Sequence, residues 1–197
     1  IALESAKSTG RLHIFGLLSD GGVHAHIHHL EALLSLACEH QIPNVFIHAF
    51  TDGRDTSPSS GVGFVDDLKT FIADKPGVRI ASVMGRYYAM DRDKRWERTE
   101  KAYRAMVDGD AMIQSASSLS SEIKSLYSEG TTDEFLPPIV VGESEKDVKE
   151  SRVHPEDPMV CINFRGDRAR QLLKGFFAFD EVNFQGTAPF KHQGPLI

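Results

Sequence analysis

Apolar and polar positions follow a repeating rhythm along this chain. A short apolar run gives way to a polar, glycine-bearing loop, and then to a stretch whose apolar positions recur three or four residues apart. Residues 12–18 form the first apolar run and end in Ser19-Asp20-Gly21-Gly22, which predicts a buried strand entering a glycine turn. Over 26–37, Ile27, Leu30, Leu33, Leu34 and Ala37 stand at helical spacing. Residues 44–50 predict a second strand, with Thr51-Asp52-Gly53-Arg54-Asp55 as its exit loop. Helical spacing returns over 63–73 through Phe64, Val65, Leu68, Phe71 and Ile72. A third strand is expected over 78–84 and a further helix over 97–107. Residues 135–141 read as an extended entry to a strand. Residues 159–164 predict another strand, which leaves through Arg165-Gly166-Asp167-Arg168 into a helix from about Gln171. Two regions break the rhythm. Residues 110–134, with serines at 115, 117, 118, 120 and 121, read as a loosely packed helical hairpin or surface excursion, and the charged stretch 143–158 reads as loop.

Strand, polar loop, helix, strand predicts an α/β fold: a layered αβα domain with a mostly parallel, mixed central sheet. The length of 197 residues suits one domain over 1–197, with the helical excursion placed at 108–134. In such sheets the ligand crevice lies beyond the carboxyl ends of the strands. The unusual polar clusters of this chain fall on those loops. The densest is Gly85-Arg86-Tyr87-Tyr88-Ala89-Met90-Asp91-Arg92-Asp93-Lys94-Arg95-Trp96, with three arginines, a lysine, two aspartates and three aromatics. Arginine grips carboxylate or phosphate through paired hydrogen bonds, so the cluster predicts a small, multiply anionic ligand. The competing reading is a surface loop in which Asp91 and Asp93 neutralise Arg92 and Arg95.

Charge sharpens this picture. The net charge is −6, which argues against general nucleic-acid binding and makes the arginines a local device in an acidic molecule. Cys38 and Cys161 are far apart and form no C-x-x-C, so they read as buried, reduced thiols. No run is apolar enough to span a bilayer and no secretory leader is visible, so a cytoplasmic location is the default expectation.

Further candidates stand at the other strand exits. His24 is expected at a loop-to-helix junction, where free N–H groups favour an anion and an imidazole can donate to phosphate or shuttle a proton. His24, His26, His28 and His29 crowd together, so a metal site is the alternative, with solvent-facing helix histidines as the plainer account. Arg54 is placed to clamp an anion with Asp55 beside it as a general base; a local ion pair in an Asp-Gly turn is the alternative. Arg165 and Arg168, three apart before a helix, are expected to face the same way and to need an anion there. There is no Walker A sequence, no G-x-G-x-x-G and no G-x-S-x-G.

Taken together, Ser19-Asp20-Gly21-Gly22-Val23-His24, His48-Ala49-Phe50-Thr51-Asp52-Gly53-Arg54-Asp55, Gly85 to Arg92, and Asn163-Phe164-Arg165-Gly166-Asp167-Arg168 resemble the cofactor-independent phosphoglycerate mutases. Asp133-Glu134-Phe135 followed by Pro137-Pro138-Ile139 is also similar. The resemblance covers nearly the whole chain. It implies interconversion of 3-phosphoglycerate and 2-phosphoglycerate in glycolysis and gluconeogenesis, with no 2,3-bisphosphoglycerate requirement. It implies a substrate-binding domain inserted into an alkaline-phosphatase-like domain that carries a serine nucleophile and two divalent metals, manganese or magnesium. No metal ligand is expected in this chain. Carried over by motif, the substrate-binding positions are His24, Arg54, Asp55, Arg86, Arg92, Arg165 and Arg168, with Asp55 as the base. The family's metal motifs, its nucleophile and a late lysine expected beyond Ile197 are absent, and Ala25 stands where many members have serine. The chain reads as a fragment, inactive alone. The alternatives are a stand-alone module for small phosphorylated acids and a metal-dependent hydrolase built on the histidine cluster.

Overall fold

A computed structural model describes residues 1–178, 181–185 and 191–197. Strands β1 (Arg11–Leu17), β2 (Asn44–Thr51), β3 (Val78–Gly85) and β6 (Met159–Cys161) run parallel. β4 (Met112–Gln114) and β5 (Ile139–Val141) run parallel to each other and antiparallel to β3. The sheet order is β4-β5-β3-β2-β1-β6, so the expected mixed, mostly parallel sheet is present. The order reverses at β1, which places a switch point between β1 and β6. The helices are α1 (Ala2–Thr9), α2 (Ile27–Glu39), α3 (Gly61–Ile72), α4 (Arg86–Ala89), α5 (Trp96–Val107), α6 (Leu119–Ser128), α7 (Glu145–Glu150) and α8 (Arg170–Phe177).

Side chains alternate across the strands and build two cores. On one face Leu12, Ile14, Val45 and Ile47 pack with Leu30 and Leu34 of α2, Val65 and Leu68 of α3, and Leu119 and Ile123 of α6. On the other, Phe15, Leu17, Phe50 and Met84 pack with Tyr103 and Met106 of α5 and Leu172 and Phe176 of α8.

The structure corrects three expectations. Residues 110–134 are no helical hairpin. They supply β4, one helix that buries Leu119 and Ile123, and a 3-10 turn at Asp133–Phe135. Their serines belong to the entry of α6: Ser115 and Ser118 hydrogen-bond each other's backbone N–H groups, and the Ser120 hydroxyl donates to Asp66 of α3. The supposed loop 143–158 contains α7, whose N-cap Ser144 accepts from the Asp147 amide. Both cysteines are free and only partly buried, and burial raises the Cys161 thiol to about 11.

The second core encloses a polar row. Asp157 contacts His13 Nε2 at 3.0 Å, His13 Nδ1 contacts His48 Nε2 at 3.0 Å, and His48 Nδ1 contacts the Ser82 hydroxyl at 2.8 Å. Arg11 caps the row through both Asp157 oxygens, and the Arg152 guanidinium beside it donates to the Ala81 and Ala105 carbonyls. Burial lowers His13 to about 4 and His48 well below its ordinary value. Burial alone would raise Asp157, but the hydrogen bond from His13 and nearby positive charge bring it to about 2. An ionised Asp157 requires an N–H at His13 Nε2. His13 Nδ1 is then the acceptor for His48, and His48 Nδ1 accepts from Ser82.

Both imidazoles are therefore neutral in the folded chain, and stability depends on pH. The unfolded chain takes up the His13 proton near 6.5 and the folded chain only near 4. Stability is complete above the higher value and falls as pH drops toward the lower one. His13 alone should cost about 2 kcal/mol between about pH 7 and about pH 5. Urea denaturation at the two pH values measures this; an unmoved midpoint is the contrary result.

Candidate functional site

Four loops meet beyond the C-terminal ends of β1, β2, β3 and β6. The loop after β2 carries Asp52, Arg54 and Asp55. Asp52 is buried and accepts from the backbone N–H groups of Arg54 and Asp55, which folds the turn. The loop after β1 lies against it, with Gly21 packed on Asp55. The 3-10 turn lies against the C-terminal ends of β2 and β3: the Thr51 hydroxyl donates to the Asp133 carbonyl and the Gly85 amide to the Leu136 carbonyl. A Cβ on Gly85 would strike the Glu134 carbonyl, and one on Gly53, where φ is +69°, would press on the Glu134 amide. Buried Asp133 holds that turn by accepting from the Gly61 amide at 2.7 Å and from the Tyr127 hydroxyl.

The loops after β2, β3 and β6, with the 3-10 turn, enclose a cavity of about 390 Å³ lined by six arginines: Arg54, Arg86, Arg92, Arg95, Arg98 and Arg168. Tyr87, Phe135 and Glu134 complete much of its wall. Arg86 is buried at the inner end, its Nη1 2.7 Å from Asp52 and 2.6 Å from Asp55. Arg54 reaches Glu134 at 3.5 Å, and Arg92 reaches Asp167 at 3.0 Å. Arg95 pairs with Asp93, and Arg98 lies 3.8 Å over the Tyr87 ring and 3.6 Å from Asp91. Arg168 makes no ion pair among the described residues, and its Nη1 reaches the Met90 carbonyl at 3.4 Å. Burial and then the charges of Arg92, Arg86 and Arg54 lower its pKa. This strain on a cation marks where an anion would be stabilised most.

Of the seven predicted site residues, Arg54, Arg86, Arg92 and Arg168 line this cavity. Asp55 joins it through Arg86 rather than through Arg54, its expected neighbour. His24 is not at a helix start, because α2 begins at Ile27 with His26 as its cap. It is buried in the preceding loop with Nδ1 unpartnered, 3.8 Å from Asp167. Burial, followed by Arg86 and Arg165, lowers its pKa. Arg165 is exposed and pairs with Asp167 at 3.0 Å, outside the cavity lining that Arg168 joins. Asp167 thus bridges Arg92 and Arg165.

The histidine cluster divides, with His24 buried and His28 and His29 exposed on α2. Among the described residues no three His, Cys, Asp or Glu side chains gather as a metal site, so the hydrolase reading draws no support from this geometry. Sequence reasoning missed the counter-ions Asp52, Glu134 and Asp167. Asp52 lies inside a motif it had singled out, but spacing does not tell which aspartate of Thr51-Asp52-Gly53-Arg54-Asp55 turns inward.

The family described as BPG-independent PGAM N-terminus matches residues 1–194. The 2,3-bisphosphoglycerate-independent phosphoglycerate mutase of Lachnoclostridium phytofermentans is 47% identical over 184 residues, 93% of this chain and 35% of that protein. The one from Moorella thermoacetica is 48% identical over 185 residues, 93% of this chain and 35% of that protein. A crystal structure of Leishmania mexicana phosphoglycerate mutase at low cobalt concentration superposes with a TM-score of 0.87 at 30% identity, over 99% of this chain and 36% of that chain. The chain thus spans about a third of the length of the relatives it matches.

The uneven pairing of the arginines has a measurable consequence. Arg168→Ala should weaken phosphate binding by about 1.5–3 kcal/mol, the scale of a charge-assisted contact. Arg95→Ala, with its carboxylate already in place, should change it little. Phosphate titrations followed by NMR check the order; equal effects would contradict it.

Proposed function

The chain belongs to the BPG-independent PGAM N-terminus family, and on that premise we propose that it is the substrate-holding part of an isomerase that interconverts 3-phosphoglycerate and 2-phosphoglycerate. The observation that carries this reading is the convergence of Arg54, Arg86, Arg92 and Arg168 on one cavity, with Asp55 hydrogen-bonded to Arg86 at its edge. A phosphoglycerate brings a carboxylate, a phosphate and one free hydroxyl. Planar guanidinium forks suit the first two, and an ionised carboxylate suits the third. In this reading the arginines bind and orient the two anionic ends, with Arg165 at the outer rim. Asp55 accepts the hydroxyl proton, and the buried His24 imidazole faces the phosphate.

The relatives' shared name supports a reaction without 2,3-bisphosphoglycerate. The remaining length in those relatives corresponds to an alkaline-phosphatase-like partner domain of the same protein, with a serine nucleophile and two manganese or magnesium ions. Those metals would supply Lewis-acid stabilisation of the transferring phosphoryl group. In this reading both metals belong to that partner domain. The reaction belongs to glycolysis and gluconeogenesis and the protein to the cytoplasm; no helix among the described residues is long and apolar enough to cross a membrane.

The 197-residue chain alone should bind 3-phosphoglycerate only in roughly the millimolar range, because the site is open to solvent and lacks its second wall. It should show no interconversion by phosphorus NMR, whereas a protein of the relatives' full length should turn over without added bisphosphoglycerate. Turnover by the chain alone would sink this division of labour. Arg92→Ala should weaken the binding further, though by less than Arg168→Ala because Asp167 must first leave Arg92, and an unchanged calorimetric affinity would remove Arg92 from the site.

A further inference from the structure

We propose that Asp52 is a positioning residue for the proton transfer, because its charge keeps Asp55 from being captured by Arg86. The inference rests on the mutase reading and deepens it. Asp52 is 1% exposed and is oriented from every side. Its Oδ1 accepts from the Arg54 amide at 3.1 Å, the Asp55 amide at 3.0 Å and Arg86 Nη1 at 2.7 Å. Its Oδ2 accepts from the Ser19 hydroxyl at 2.8 Å. One carboxylate therefore fixes the turn bearing Arg54 and Asp55, anchors Arg86, and ties both to the loop after β1.

Asp55 meets the same Arg86 nitrogen, at 2.6 Å, with its side chain 24% exposed against 1% for Asp52. One guanidinium thus faces two carboxylates. The buried one cannot leave, because departure would strand a charge in the interior. Asp55 holds the surplus charge at the solvent edge and is the one able to turn toward a hydroxyl. The proton then passes from the substrate O–H to the Asp55 carboxylate, which becomes a carboxylic acid, and the electron pair stays on the substrate oxygen. If Asp52 were uncharged, Asp55 would be the sole counter-ion among the described residues in hydrogen-bond contact with Arg86, and leaving it would cost more. The Asp52 charge also opposes substrate affinity: removing it makes the cavity more attractive to an anion.

The test is Asp52→Asn in the full-length protein, with 3-phosphoglycerate as substrate. The amide is isosteric, its oxygen keeps the three donors, and the Ser19 hydroxyl can rotate to accept. The expected result is a fall in kcat of about tenfold or more with KM unchanged or lowered, and a melting temperature near that of the parent. An unchanged kcat would overturn the proposal. So would a fall matched by an equal rise in KM, which is the signature of lost binding. Ser19→Ala is the milder variant should the Asp52→Asn protein fail to fold; it should lower kcat by about two- to fivefold, again without raising KM. If the parent protein shows no mutase turnover, the functional reading fails instead. The role of Asp52 is then decided by the crystal structure of the variant: Asp55 closing on Arg86 with both oxygens supports it, and an unaltered single contact overturns it.

Discussion

Six guanidinium groups around one cavity repel one another, and the carboxylates set between them let this end of the fold close. The pairs differ in kind. Arg86 with Asp52 is buried, so separating its members would strand a charge. Arg54 with Glu134 and Arg92 with Asp167 are about half-exposed on the arginine side, where such pairs contribute little and salt weakens them. The inner pair is architecture and the outer pairs are exchangeable. The cavity therefore has a fixed floor and a rim whose cations can trade an internal carboxylate for an arriving anion.

The sheet makes that arrangement possible. Parallel strands deliver their loops to one edge, where those that follow β2, β3 and β6 line the cavity. Close approach then depends on missing side chains. Gly16 lets Ile162 and Asn163 pass beside β1, and the Asn163 side chain accepts from the Leu17 amide. Gly53 and Gly85 admit the turn that brings Glu134 and Phe135 to the cavity. Deeper in the sheet the His13–His48–Ser82 row spans β1, β2 and β3 with side-chain hydrogen bonds. A row of that kind is satisfied in one register only, so it specifies strand alignment where an apolar core would tolerate slippage.

Strands β1, β2, β3, β5 and β6 and helices α2, α3, α5 and α8 were legible because burial leaves a periodic trace. The apolar run of β1 and the spacing of Ile27, Leu30 and Leu34 in α2 say which faces turn inward. What escaped has weak or misleading local signals. β4 is three residues long, and Met112 and Ile113 remain largely exposed, so no alternation marks it. α7 carries one buried residue, Val148, and was legible only through its Ser144 cap. In the candidate site the arginines were legible as a chemical type, since gathering them demands a reason. Their partners were not. Arg92 lies beside Asp91 and Asp93 in sequence yet pairs with Asp167, 75 residues away. Arg95, by contrast, pairs with the nearby Asp93, so sequence proximity identified one of the two ion pairs and missed the other.

Arg168 completes the logic of the rim. It enters a positive field without a carboxylate of its own among the described residues, and burial together with that field lowers its pKa. An anion that reaches it gains the attraction of Arg92, Arg86 and Arg54 together, because the charges that disfavour the cation are those that favour its ligand. A second anionic group on the same molecule can then displace Asp167 from Arg92 or Glu134 from Arg54 at small cost. A ligand with two anionic ends recovers both exchanges in a single binding event, whereas a singly charged one recovers one. The site thus discriminates by the number and separation of negative groups before any single hydrogen bond is counted.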